Sequence, residues 1–252
     1  MRLKGFRNLT ELPESIEKLS ALASLHVENC ETLTQLPKTI CKLSALENLT
    51  LVTLDTIEYD MNDPKDYDIY EGISERIQLM HLPSSIGLLQ SLKTFCLMEC
   101  NKLGQLPTSI GALTSLYSLH VVSSVYSKLE LPASFSLLTG LQILKLSGCK
   151  MPACFSLDIF TKLQTLEWDL EVPNCESYDE DLYGDDQESV RSERKTALVS
   201  SLPALKQFQC LHLKKPGSDD DFLQLARSLK AWPPPLLGDV VIRSGYIDIT
   251  LG

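Results

Sequence analysis

Apolar residues recur along the chain on a fixed schedule. Leu12, Leu36, Leu82, Leu106 and Leu131 open the stretches "LPESI", "LPKTI", "LPSSI", "LPTSI" and "LPASF". Seven residues after each stands another leucine, at 19, 43, 89, 113 and 138, and ten after, at 22, 46, 92, 116 and 141. Thirteen after come Leu25, Leu49, Phe95, Leu119 and Leu144, and fifteen after, Val27, Leu51, Leu97, Val121 and Leu146. Polar residues fill most places between.

The period changes within each unit. The closing L-x-x-L-x-L ends in period two, the signature of a short strand with alternate residues inward. The preceding I-x-x-L-x-x-L has period three, which suits a short helix or a 3₁₀ turn. Proline sits where that turn begins, where its missing N–H costs nothing. The Ser or Thr two residues later is expected to bond the free backbone N–H groups there.

One strand and one turn cannot bury their own leucines, but stacked units can. Stacking makes a parallel sheet on one side and a column of turns on the other. Strands stack at about 4.8 Å and helices at about 10 Å, so the stack must curve with the strands on its concave side.

The unit L-P-x-[ST]-I-x-x-L-x-x-L-x-x-L-x-L-x-x-C, with strands such as "LASLHVENC", "LKTFCLMEC" and "LQILKLSGC", resembles the leucine-rich repeat family. Its length of roughly 24 residues resembles the repeats of plant-type intracellular immune receptors of the nucleotide-binding class, and of plant Ras-group repeat proteins. The resemblance implies an α/β fold: a curved leucine-rich-repeat solenoid, with a parallel sheet on the concave face and short helices or 3₁₀ turns on the convex face. It also implies a protein-recognition role, the ligand-sensing or regulatory segment of such a receptor. The alternative is a scaffold or autoinhibitory spacer that touches its own missing domain.

The schedule organises the chain into repeats over 1–170, an acidic excursion over 171–195, and a last repeat with a C-terminal cap over 196–252. An insert spans 55–75. It reads either as a surface loop or as a degenerate repeat, and it carries Tyr59, Tyr67 and Tyr70. "MRLKGFRNLTELP" matches a repeat only from its strand onward, with Leu3 aligned to Val27, which suggests a fragment or a partner domain upstream. Toward the other end, Leu163, Leu166 and Trp168 fit strand positions, then Leu205, Phe208 and Cys210, and "DVVI" and "YIDITL" read as final strands.

Charge narrows the function. The net charge of −10 opposes a phosphate-binding surface, so nucleic acid is not an expected partner. Two segments carry much of it, with seven acids and one Lys over Asp55–Glu71 and nine acids and no base over Asp169–Glu188. "DEDLYGDDQESV" places Tyr183 and Val190 where a calcium loop needs oxygen ligands, so a solvated acidic loop is the better reading. The eight cysteines form no C-x-x-C and read as reduced, buried thiols. His26 and Cys30, four apart, fall on opposite sides of a strand end and make no site. No phosphate loop, nucleophile elbow or zinc-binding motif is present, so neither catalysis nor a cofactor is expected.

No apolar run is long enough for a membrane span, and no signal peptide is visible, so a cytoplasmic chain is expected. The candidate partner surface is the row of outward strand residues. The central column reads His26, Thr50, Cys96, His120, Lys145 and Glu167. The flanking column reads Glu28, Val52, Met98, Val122, Ser147 and Asp169. The expected partner is another protein or the chain's own upstream domain, with the chain itself a monomer. Leu97→Asp, which places a charge at an inward position, should abolish cooperative unfolding. A soluble variant that still melts cooperatively would refute the assigned register.

Overall fold

The computed structural model describes residues 1–30, 32–52, 79–123, 129–152 and 155–169, and the backbone of strands 210–214, 240–243 and 246–250. The strands, in chain order, are β1 (Arg2–Lys4), β2 (Ser24–Glu28), β3 (Asn48–Val52), β4 (Thr94–Met98), β5 (Ser118–Val122), β6 (Leu129–Glu130), β7 (Ile143–Ser147), β8 (Cys149–Lys150), β9 (Thr165–Asp169), β10 (Cys210–Lys214), β11 (Val240–Arg243) and β12 (Tyr246–Thr250). One sheet runs β1-β2-β3-β4-β5-β7-β9-β10-β12-β11. It is parallel from β1 through β10 and closes with the antiparallel strands β12 and β11. β6 and β8 make a small separate parallel pair.

Register follows the sequence schedule. Leu25 pairs with Leu49, Leu49 with Phe95, Phe95 with Leu119, Leu119 with Leu144 and Leu144 with Leu166. Each of these residues is fully buried. β3 and β4 are hydrogen-bonded neighbours, so no strand stands between them. The insert at 55–75 and the excursion at 171–195 lie outside the described residues, as do the parts of the cap over 196–252 that are not strand.

The turns opposite the sheet are 3₁₀ helices: Glu14–Lys18, Lys38–Lys42, Ile86–Leu88, Thr108–Ala112 and Ala133–Leu137. Their apolar period of three is also their hydrogen-bond period. Ile16 N–H donates to Pro13 O at 3.0 Å, Leu19 to Ile16 at 3.0 Å and Leu22 to Leu19 at 2.9 Å. The same chain of bonds starts from Pro37, Pro83, Pro107 and Pro132. Each inward side chain thus anchors a backbone bond, and proline supplies the first acceptor.

The hydroxyl-bearing residue of the turn does not cap its own turn, contrary to the sequence expectation. Thr39 Oγ1 donates to Glu14 O of the preceding repeat at 2.8 Å, and Ser109 Oγ accepts from Gly87 N–H at 3.3 Å. Proline's geometry already fixes the turn, which leaves the hydroxyls to link repeats. Contact here is close. A Cβ at Gly87 would lie 2.1 Å from Ser109 O, and one at Gly111 would lie 2.4 Å from Ser134 O.

The residue that follows β1, β2, β4 and β7 takes a left-handed conformation, at Gly5, Asn29, Glu99 and Gly148, with φ between 52° and 72°. In the first three the N–H donates to the end of the next strand, as from Gly5 to Glu28 O at 2.9 Å and from Asn29 to Val52 O at 2.9 Å. The next residue turns inward: Cys30, Cys100 and Cys149 are buried free thiols. Cys100 Sγ reaches Met98 O at 3.8 Å and Leu51 O at 3.9 Å. Burial pushes the Cys100 thiol up to about 12, so it stays protonated and inert.

A single apolar core runs from Leu12 to Trp168. At its far end the leucines give way to aromatics: Phe135 meets Phe160 edge-on at 5.7 Å, and Phe155 meets Trp168 edge-on at 5.7 Å. Beyond it, β10 departs from the sequence expectation. Leu211 pairs with Leu166 and Leu213 with Trp168, so the strand lies three residues past the expected Phe208 and Cys210 positions. "LKQFQCLHL" holds two overlapping matches to L-x-x-L-x-L, and the later one ends in two leucines.

Gly87→Ala should destabilise by about 1–3 kcal/mol, the usual cost of overpacking. Gly104→Ala, where an added Cβ meets nothing within 4 Å, should stay within about 0.5 kcal/mol of the parent. Thermal melts of the two variants check this. Equal losses would mean that the turns are not in rigid contact.

Candidate functional site

The outward residues of the parallel strands form columns whose members are about 4.8 Å apart. Cα register places Arg2, His26, Thr50, Cys96, His120, Lys145 and Glu167 in one line. Lys4, Glu28, Val52, Met98 and Val122 form the next, which continues with Ser147. The structure therefore brings together the residues expected to face a partner. Arg2 and Lys4 extend the columns at one end. The alignment of Leu3 with Val27 already signalled them, since their neighbours in sequence must alternate outward. His212 continues the central column by pairing in register with Glu167. Asp169 closes β9, and its side chain lies outside the described residues.

Charges cluster at the two ends of the face. Glu28 accepts Arg2 Nη2 at 2.8 Å and lies 3.7 Å from Lys4 Nζ. The hydrogen bond from Arg2 is the main reason that the Glu28 carboxyl is held below the ordinary carboxylate range. At the other end Lys145 Nζ meets Glu167 Oε2 at 2.7 Å. Both side chains remain partly solvated, so the pair adds at most about 1 kcal/mol. Its larger effect is that the two charges offset each other.

Between the ends the described face carries no carboxylate, Lys or Arg. Val52, Met98 and Val122 run as an apolar stripe across three strands, half-buried, beside Thr50, Cys96 and His120. Asn48 Nδ2 donates to Ser24 Oγ at 3.0 Å and so closes the polar border on the other flank. The three positions stand in the outward columns, but those columns read as a mixed face, and neither the stripe nor the pairing of the charges at its ends was apparent in them.

Cys96 is the one central residue that offers little surface, being 8% exposed. It points to the concave side but lies under its neighbours, which corrects the expectation of an accessible contact there. Cys96 and His120 are register partners, a pair that invites comparison with a nucleophile and its base. Burial pushes the Cys96 thiol up, against the opposing effect of Lys145. Burial, then Lys145, pushes the His120 imidazole down, against Glu167. Both groups are thus held neutral, the opposite of a thiolate–imidazolium pair. His120 Nε2 lies 3.2 Å from the buried Ser118 Oγ, which serves as its hydrogen-bond partner. Among the described residues no group of three His, Cys, Asp or Glu is placed to hold a metal ion.

A second concavity of about 310 Å³ lies along the edge between sheet and turns, lined by His81, Gln105, Thr108, Pro107, Glu130 and Pro132. The residues just before each Leu-Pro form their own line of isolated backbone bridges, Glu11 to Gln35 to His81 and then Gln105 to Glu130. Among the described residues there is no such bridge between His81 and Gln105, and the groove occupies that gap.

The matching of a family model described as a leucine-rich repeat region to residues 72–249, more than half of the chain, settles the family. The chain belongs to the leucine-rich repeat family. Among curated proteins, no sequence matches. Similar solved structures include a leucine-rich repeat protein of Leptospira interrogans, 24% identical with a TM-score of 0.41, covering 65% of this chain and 41% of that one. The leucine-rich repeat domain of the type III effector XopL is 19% identical with a TM-score of 0.44, covering 69% and 68%. Internalin C2 of Listeria monocytogenes is 20% identical with a TM-score of 0.43, covering 67% and 61%. The chain thus spans less than half of the Leptospira protein. Leucine-rich repeat domains are generally protein–protein interaction modules, and their stacked strands present an extended binding surface.

Because the folded pKa of His120 lies below its unfolded value, the unfolded chain binds more protons between the two. Stability is then full above the unfolded value of about 6.5 and is lost as pH falls through the folded value. His120→Gln should flatten the fall in melting temperature between about pH 7.5 and about pH 5. An unchanged pH slope would remove His120 as its source.

Proposed function

We propose that this leucine-rich repeat chain recognises another protein through its concave face, with the stripe Val52–Met98–Val122 as the contact centre. One observation carries the reading: the middle of the face is uncharged and half-buried, while the flanking charges are already paired. Burying that middle against a partner costs little desolvation, whereas the ion-paired ends would form a solvated rim. Such a surface favours a partner that presents an apolar side chain to the stripe and polar groups to Thr50 and His120.

The motif L-P-x-[ST]-I, repeated at its spacing of roughly 24 residues, supports a finer reading. The chain is the ligand-sensing or regulatory segment of a plant-type intracellular immune receptor and works in the cytoplasm. A second reading is a scaffold or autoinhibitory role, in which the same face contacts an upstream domain of the same polypeptide.

The test is quantitative affinity purification from plant cytosol with three baits: parent, Val52→Glu/Met98→Lys/Val122→Glu, and Lys42→Glu on the opposite face. A protein retained by the parent and by Lys42→Glu, but depleted at least about tenfold by the triple variant, is the expected result. Equal retention by all three baits would exclude the concave face. If the upstream domain, added in trans, shows that same pattern and no other protein does, the autoinhibitory reading replaces recognition of a foreign partner.

A further inference from the structure

Beside the main sheet, the residues just before each Leu-Pro build a second, narrower ladder. Its later rungs are regular. Glu130 N–H donates to Gly104 O at 2.9 Å and Leu106 N–H to Glu130 O at 3.0 Å, then Leu131 N–H to Lys150 O at 2.9 Å. Its first rungs join Glu11 to Gln35 and Gln35 to His81. By the same geometry the rung between His81 and Gln105 would consist of Leu82 N–H to Gln105 O and Gln105 N–H to Met80 O. Neither bond is made, and among the described residues no other backbone hydrogen bond takes up the Gln105 N–H or its carbonyl. Gln105 thus presents one donor and one acceptor of an unpaired edge, inside the ladder rather than at its end. The groove of about 310 Å³ lies at that place. Its floor is three buried leucines, Leu82, Leu106 and Leu131.

We infer that this groove binds an extended peptide segment of another protein, one residue of which pairs with Gln105. The missing rung sets the chemistry of the occupant. An unpaired backbone edge is a template for another strand, and one residue of an extended segment exchanges both bonds with the residue opposite. Main-chain bonds of this kind supply affinity, and the side chains on either side supply choice. The leucine floor, flanked by Pro107 and Pro132, takes an apolar side chain. The lining holds one carboxylate, Glu130, and no Lys or Arg. Lys150 pairs with Glu130 at 3.0 Å from outside the lining, and both side chains are more than half exposed, so that pair is weak. A basic residue of the peptide is therefore favoured beside Glu130 and an acidic one opposed. The same preference disfavours the chain's own acidic segments, Asp55–Glu71 and Asp169–Glu188, as occupants. The groove lies between sheet and turns, apart from the concave face, and the inference does not rest on the reading of that face.

Amide-resolved NMR of the whole chain, titrated with capped tetrapeptides up to about 10 mM, tests it. The first probe is acetyl-Lys-Val-Leu-Val-amide. The second carries Glu in place of its Lys, and the third has every amide nitrogen methylated, which removes its main-chain donors. The first should shift the amide resonances of Leu82, Gln105 and Leu106 saturably, with those of Val52, Met98 and Val122 unmoved. The second and third should bind at least about tenfold more weakly. Thr108→Trp fills the groove from an exposed position of its lining, so it should abolish the shifts while keeping the parent melting temperature. No saturable shift at Leu82 and Gln105 would overturn the inference and leave the groove to water. Equal binding of the methylated peptide would overturn it too, since the contact would then be apolar alone.

Discussion

No repeat of this chain can bury its own leucines. Leu25 is sealed from water only because Leu49 stands in register beside it, and Leu49 only because of Phe95. That dependence fixes the rest of the molecule. Register must be uniform, because a slip of one residue would turn the leucines outward along the sheet. Outward residues must then fall into columns. Turns must pack as tightly as strands do, and a 3₁₀ turn with glycine at Gly87 and Gly111 packs more closely than a helix could. The core is a line of neighbour contacts rather than a centre, and its ends need other solutions. At one end these are the aromatic cluster around Phe135 and Trp168, and beyond it the antiparallel strands β11 and β12.

Most of this was legible in sequence because two periods are written side by side in each unit. Period two set the strands at Leu25 and Val27, and period three set the turns at Ile16, Leu19 and Leu22. The inward thiols of Cys30 and Cys100 followed from their place just after the strand. What escaped was what depends on the neighbouring repeat. Thr39 and Ser109 were expected to serve their own turns and instead reach back to the preceding repeat. The strand at Cys210–Lys214 was placed three residues early, since two overlapping matches could not be ranked without knowing which one Leu166 and Trp168 would pair with.

The same limit applied to the candidate surface. The outward columns were correct as positions, but a column names directions and not exposure. Cys96 points outward and is covered, while Val52, Met98 and Val122 lie as a stripe between two ends whose charges are ion-paired. Lys145 and Glu167, which in sequence look like two anchors for a partner, satisfy each other. The turn face carries the opposite lesson. Leu88 and Leu137, apolar like the residues of the core, stand exposed on it.

The most direct measurement is methyl-resolved NMR of the chain during titration with its protein partner. Recognition through the centre of the concave face requires that the methyl resonances of Val52, Met98 and Val122 shift together, with those of Leu88 and Leu137 unmoved. Shifts confined to Leu88 and Leu137, with the three concave methyls unchanged, would contradict the account.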